Sequence, residues 1–417
     1  MNATKPTPLG DLPADWQVML ISQMIQDGFI LEHLDGNHGE LYPRSHEFKP
    51  SGVPYIGATD FASGNVSFKA CKYLSKDRAN KFKKGVAKDG DVLFAHNATV
   101  GPVALLSTSE EIVILSTTAT YFRCNPEKLS NRYLHYALQA QYFVNQYTAV
   151  MAQSTRFQVP ITTQRKLNLV LPPLPEQRAI ADALGDIDAW IGAQEALIAK
   201  KCDLKTATMA QLLTGGIRLA GFDGDWQTKT LGEMSEMNSG GTPPSSDSSC
   251  YGGEIPWVSI ADMTSNKCDI YKTERNLSEK GLANSSAKLF PAGTILYAMY
   301  ASIGECSIAA VELCSSQAIL GIRPKSALDG LFLYYLLTSL KDEVKTMGQQ
   351  GTQSNLNMGM VKGFEIKLPP LAEQIAIAGI LSGLDEELAA LDAQLDKTRQ
   401  LKAATMTALL AGEKRLV

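Results

Sequence analysis

The sequence predicts an α+β protein: two sheet-rich globular domains separated by two long helices that pair as an antiparallel coiled coil, in a pseudo-twofold circular arrangement. Three observations predict it. A stretch from the middle of the chain returns near its end, both copies carry a coiled-coil seam, and the segments before the copies align as one loose framework. The repeat opens as Leu171-Pro172-Pro173-Leu174-Pro175-Glu176-Gln177 and again as Leu368-Pro369-Pro370-Leu371-Ala372-Glu373-Gln374. The offset of 197 holds without a gap to Gly215 and Gly412, and 22 of the 45 paired positions are identical. A period near 200 residues makes each half domain-sized, far too long for a solenoid unit.

Residues 1–170 are read as the first globular domain. Residues 1–15 are a polar lead without periodicity, and Asp15-Trp16-Gln17 opens the body as Asp225-Trp226-Gln227 opens the second. Short β-branched and aromatic runs bounded by Gly, Asp and Asn read as strands. Pro54-Tyr55-Ile56 answers Pro256-Trp257-Val258, and Gly90-Asp91-Val92-Leu93-Phe94-Ala95 answers Gly293-Thr294-Ile295-Leu296-Tyr297-Ala298. Val100-Gly101 likewise answers Ile303-Gly304, and residues 129–146 and 329–347 each read as one helix. Residues 171–215 and 368–417 are the two long helices, 216–225 a glycine-bearing linker, and 226–367 the second globular domain. Ile180, Leu184, Ile187, Ile191 and Ile198 in one helix match Ile377, Leu381, Leu384, Leu388, Leu391 and Leu395 in the other. Their alternation of three and four is a coiled-coil seam. Leu184, Ile187, Ile191, Leu381, Leu384 and Leu388 are therefore expected to hold the domains at a fixed spacing. Lys201, Lys205 and Lys402 interrupt the seam, and polar seam residues fix register at a cost in stability. The second copy of the linker is missing after residue 417, which aligns with Ala220, so the N-terminal lead is expected to take its place and the chain ends to meet.

With 45% apolar and 20% charged residues, this is an ordinary globular composition. No apolar run reaches membrane-spanning length and the N-terminus has no apolar signal core; a cytoplasmic protein without membrane contact is expected. Seven scattered cysteines without a CxxC pair suit reduced thiols. The five histidines lie in the first half without metal-ligand spacing, and no phosphate-binding glycine motif is present. No catalytic residue, metal site or cofactor of this chain's own is expected.

The net charge of −4 hides an uneven distribution. Residues 16–170 hold 16 Lys and Arg against 12 Asp and Glu, whereas residues 226–367 hold 12 against 14. Lys69, Lys72, Lys76, Arg78, Lys81, Lys83, Lys84 and Lys88 crowd into one stretch with Phe68, Tyr73 and Phe82 between them. Such a run is either a solvated face or a phosphate grip. Lys267, Lys272, Arg275 and Lys280 are its thinner counterpart. Polar tracts precede both long helices, with Thr155 and Arg156 in one and Gln353, Ser354 and Asn355 in the other. Gln, Asn and Arg can bond base edges bidentately; the bland reading of both tracts is a capping loop. Asn97 and Tyr300 complete the candidate DNA-binding set.

Together these features resemble the specificity subunit of type I restriction–modification enzymes over essentially the whole chain. The repeated LPPLxEQ openings carry the resemblance. So do the helix ends Met209-Ala210-Gln211-Leu212-Leu213 and Met406-Thr407-Ala408-Leu409-Leu410, and the Gly221-Phe222-Asp223-Gly224-Asp225-Trp226 linker. The resemblance implies two target-recognition domains, each reading half of a split sequence in double-stranded DNA, with the paired helices setting the gap. It also implies partners: two modification subunits that methylate adenine using S-adenosylmethionine, and restriction subunits that use ATP and Mg. The alternatives are a single-chain DNA methyltransferase or nuclease, which lacks its motif here, and a non-DNA coiled-coil scaffold, which leaves the basic cluster unexplained.

Overall fold

A computed structural model describes residues 3–62, 64–153, 156–265, 268–350 and 355–417, with the side chains of 347–350 left aside. The chain forms two compact units, one of residues 1–194 with 394–417 and one of residues 195–393. The long helices, expected as segments of their own at 171–215 and 368–417, span Leu174–Leu212 and Leu371–Leu410. Each is divided between the units, because its two ends belong to different cores.

In the first unit a four-stranded antiparallel sheet has the order Thr99–Leu105, Val92–Asn97, Ala119–Cys124, Ile30–Asp35. A five-stranded mixed sheet beside it pairs Val113–Leu115 in parallel with Val53–Ile56. The second unit repeats the plan. Ser235–Ser239, Ile319–Pro324, Ile295–Ala298, Cys306–Ala309 and Asp269–Ile270 form one sheet. Tyr251–Val258 pairs in parallel with Cys314–Ser315 in the other.

Alternation along the central strands explains why they are apolar throughout. Val92 and Phe94 face one core while Leu93 and Ala95 face another, as the two-residue period of a strand requires. Ile295 and Tyr297 are divided from Leu296 and Ala298 in the same way.

A two-stranded ribbon feeds each long helix. Asn168–Leu171 pairs with Gln17–Leu20, and Glu365–Leu368 with Gln227–Thr230. Proline cannot continue the ladder but suits a helical first turn, so the chain turns at Pro172-Pro173 and the helix starts, with Glu176 N–H reaching Pro173 O at 2.9 Å. Both helices end on a left-handed glycine, Gly215 at φ 73° and Gly412 at φ 71°. A bond six residues back closes each end, Ile217 N–H to Gln211 O at 3.2 Å and Lys414 N–H to Ala408 O at 3.2 Å.

Within each unit the helices run antiparallel. Ile180, Ala181 and Leu184 share the first unit's core with Leu409 and Leu410. Leu212 and Leu213 share the second's with Ile377, Ala378 and Leu381. Of the expected spacer residues Leu184 and Leu381 are fully buried, while Ile187, Ile191, Leu384 and Leu388 are half-buried. The seam lysines are matched by acids. Lys402 pairs with Asp188 at 2.6 Å, Lys201 with Glu387 at 2.7 Å, and Lys205 with Asp385. A tyrosine from each body completes the arrangement, Tyr136 donating to Asp188 and Tyr335 to Asp385, both at 2.7 Å.

Two expectations from sequence are corrected. The N-terminal lead is a hairpin of Thr4–Thr7 and Gly10–Pro13, turned at Gly10 with φ 105° and closed by Thr7 Oγ1 donating to Gly10 O at 2.6 Å. The single body helices are pairs, Asn131–Ala137 with Gln141–Ala152 and Gly330–Ser339 with Lys341–Gln350. The break at Ala140, whose backbone is extended, lets both pieces bury aromatic residues: Tyr133 and Tyr136 before it, Phe143 and Tyr147 after.

Among the described residues no helix is long and apolar enough to cross a membrane, and no group of His, Cys, Asp or Glu is placed to hold a metal ion. The histidines instead shape the pH response of the first unit. Burial pushes His33 down to about 3 and His135 to about 4, and lowers His38 and His96. A depressed histidine takes up its proton more readily when unfolded, so its contribution to stability is complete above about 6.5 and declines as pH falls toward 4 and 3. The second unit has no histidine. Between pH 7 and pH 5, amide exchange should therefore accelerate in the strands of the first unit and change less in those of the second. Equal acceleration in both would contradict this account.

Candidate DNA-recognition surface

Seven of the eight cluster cations, Lys69, Lys72, Lys76, Lys81, Lys83, Lys84 and Lys88, are exposed. They lie on the mixed sheet's strand Lys72–Leu74, the short helix Lys76–Ala79 and the loops around them. Among the described residues none of the seven forms an ion pair. Arg78 is the exception: its Nε bonds Glu47 at 2.5 Å, its Nη2 bonds Leu41 O at 2.6 Å, and its guanidinium covers the Phe82 ring. It braces the loop. The interleaved aromatics also belong to the interior. Phe82 is buried, and Tyr73 turns its hydroxyl onto Phe68 O at 2.6 Å.

The chain just behind the first polar tract is joined to the tip of a hairpin. Asn97 and Gln158 form an isolated bridge, and Val159 N–H bonds His96 O at 2.8 Å. Arg156 and its neighbour Phe157 are exposed there, while Thr155 lies outside the described residues. A cleft next to the tip brings Asn97, Thr99, Tyr42 and Lys72 together. No periodicity signals this convergence.

In the second unit Lys272, Arg275 and Tyr300 are exposed, as is Asn355; Lys267, Gln353 and Ser354 lie outside the described residues. Lys280 is engaged with Asp247 at 3.1 Å and Ser249 at 2.6 Å. Among the described residues this unit offers fewer uncommitted cations than the first, as its net acidity suggests.

The sequence matches a known family. A sequence profile described as the type I restriction modification DNA specificity domain matches residues 14–200 and again 223–398. The chain belongs to that family. Among its relatives, a putative type I restriction enzyme MjaX specificity subunit of Methanocaldococcus jannaschii is 25% identical over 99% of this chain and 96% of its own. The EcoR124I/EcoR124II specificity subunit of Escherichia coli is 26% identical over 39% of this chain and 42% of its own. Solved structures share the fold. A chain of a type I R-M system gives a TM-score of 0.62 at 20% identity, covering 97% of this chain and 99% of its own. The S subunit from M. genitalium gives 0.56 at 16%, covering 97% and 98%.

In this family member the repeated LPPLxEQ segment is structural. Gln177 accepts from Ser130 N–H at 3.0 Å and donates to Pro172 O at 2.9 Å. Gln374 does the same with Asp329 N–H at 2.8 Å and Pro369 O at 2.9 Å. The glutamates beside them are buried carboxylates. Glu176 binds Arg415 at 2.5 and 2.7 Å and Trp16 Nε1 at 2.8 Å; Glu373 binds Arg218 at 2.7 and 2.8 Å. Arg415 also holds Asp15 at 2.8 and 2.9 Å, so the residues after the second long helix meet the opening of the first body. That interaction lowers the Asp15 pKa and raises that of Arg415. The repeat pattern contains a signal for these arginines, since Arg218 and Arg415 stand 197 apart like Glu176 and Glu373.

Removing one partner of a buried pair leaves an uncompensated charge, at a cost of about 3–5 kcal/mol. Arg415→Ala should therefore destabilise the first unit by about 3 kcal/mol, read by denaturant unfolding. Asp15→Ala, which removes the more exposed carboxylate, should cost about 1 kcal/mol or less. Equal costs would show that burial of Glu176 is not what makes the clasp matter.

Proposed function

We propose that each recognition domain reads one half of a bipartite sequence in double-stranded DNA and that the paired long helices set the unspecified gap. The carrying observation is that one framework occurs twice with different loops, under a family match that covers both copies. Two unlike surfaces read two unlike half-sites, so the target need not be palindromic. The seven exposed, unpaired lysines of the first unit supply phosphate contacts, which position without specifying. Adenine methylation with S-adenosylmethionine is the work of two modification subunits, and ATP- and Mg-dependent cleavage that of restriction subunits. This chain contributes recognition and no catalytic group; in support, the buried carboxylates Asp91, Glu176 and Glu373 are paired with arginines, and His33 and His96 are buried in the first unit.

Two experiments on the assembled complex test the reading. Lys83→Ala or Lys84→Ala should weaken binding to all sequences. Each should also flatten the dependence of log affinity on log salt by about one unit, for the one phosphate no longer neutralised. A changed methylation motif in those variants would instead make them base readers.

The second experiment lengthens the helices. Inserting four residues after Gln194 and four after Ala393 leaves the Lys402–Asp188 and Lys205–Asp385 pairs intact. It adds about 6 Å to each helix, close to two base-pair steps of about 3.4 Å. Methylated adenines mapped genome-wide should then fall in the same half-sites with a gap longer by one or two base pairs. An active insertion variant that keeps its original gap would refute the spacer role.

A further inference from the structure

The two units differ in nearly every loop, yet one irregularity recurs at one place. Ala98 and Ala301, with φ of 63° and 60°, are the two non-glycine residues with positive φ among those described. A Cβ makes that conformation costly. Strain of this kind persists only where the surroundings over-determine it, and it gathers at ligand-contacting positions.

Two features hold both alanines in place, and a further one holds Ala98 alone. Ala98 stands alone between Asn97 and Thr99, which face each other across the hairpin, so the chain reverses at a single residue. Before the tip, the His96 carbonyl accepts from Val159 N–H at 2.8 Å and the Met299 carbonyl from Leu356 N–H at 3.0 Å. Val159 and Leu356 are 197 residues apart, each just behind its polar tract. Three residues past the alanine comes a left-handed glycine, Gly101 at φ 115° or Gly304 at φ 82°. Each lies against the helix that leads into the tract. A Cβ on Gly101 would come within 2.9 Å of Tyr147 Oη, and one on Gly304 within 3.3 Å of Lys341 Cα.

What these matched scaffolds display is different. Asn97 is half-buried beside Tyr42 and Lys72, and its side-chain amide has no hydrogen bond among the described residues. Tyr300 is exposed in a wider loop, its hydroxyl likewise without a partner among them. The same backbone device with unlike, unspent polar side chains is what two readers of unlike half-sites require.

We propose that these tips are specificity-determining elements, one for each half of the DNA target. Asn97 bonds a base edge in the half-site read by the first unit, and Tyr300 contacts a base in the other. The assignment rests on the DNA-reading function proposed above. Asparagine bonds adenine N6 and N7 bidentately in the major groove, so Asn97 should read an A·T pair.

The test uses the assembled complex, with methylated adenines mapped genome-wide and the salt dependence of DNA binding measured alongside. Asn97→Ala should lower discrimination about tenfold at one A·T position of one half-site, leaving the other half-site and the salt slope unchanged. Tyr300→Ala should relax the opposite half-site only. Asn97→Asp and Tyr300→Phe, which preserve shape, replace any alanine variant that fails to assemble and should shift the same positions. Folded variants that methylate the wild-type motif with wild-type stringency would overturn the tip assignment alone. A wild-type complex with no bipartite motif would overturn the DNA-reading function and the tip assignment with it.

Discussion

Glu176 and Glu373 are carboxylates removed from water in the first turn of each long helix. An isolated buried carboxylate costs several kcal/mol, so each survives only with its arginine in place. That arginine comes from just beyond the end of the other helix, Arg415 for Glu176 and Arg218 for Glu373. Each clasp thus ties the start of one helix to the end of its antiparallel partner. In the first unit it also ties both to the opening of the body, through Trp16 and Asp15. The helix N-terminus adds a favourable field for the carboxylate. With each clasp made, the helices enter their cores in one register, and the seam pairs Lys402–Asp188 and Lys205–Asp385 follow.

This division of labour accounts for where variation is tolerated. Glu, Gln and the proline turn belong to the frame that every copy needs. The strained hairpin tips and the basic loops sit on the outside of that frame. A rigid scaffold can present new loops without altering its own packing, which suits a protein whose two halves read different targets. The first unit carries more uncommitted positive charge than the second, so phosphate grip is distributed unequally between them.

The candidate site is partly legible in the sequence. Exposed lysines announce themselves by density, and seven of the eight cluster cations are indeed free of ion pairs among the described residues. The structural engagement of Arg78 and Lys280 is hidden because their partners, Glu47 and Asp247, lie 31 and 33 residues away, beyond any local pattern. Asn97 and Tyr300 belong to the candidate set, but the feature that singles them out does not show in the chain. Left-handed alanines leave no trace in composition, since nothing about the residue type demands positive φ.

The sequence by itself determined the duplication, the long helices and their ends, and the presence of two unlike loop sets on one plan. These are local or periodic properties: a seam that alternates three and four, prolines that start a helix, glycines that stop one. Only the tertiary structure decided how each helix is shared between two cores and which arginine neutralises which carboxylate. The same holds for the tying of each hairpin tip to the residue just behind the polar tract, Val159 or Leu356. Those outcomes depend on pairings between residues tens to hundreds of positions apart, which burial and backbone hydrogen bonding select only once the chain has folded.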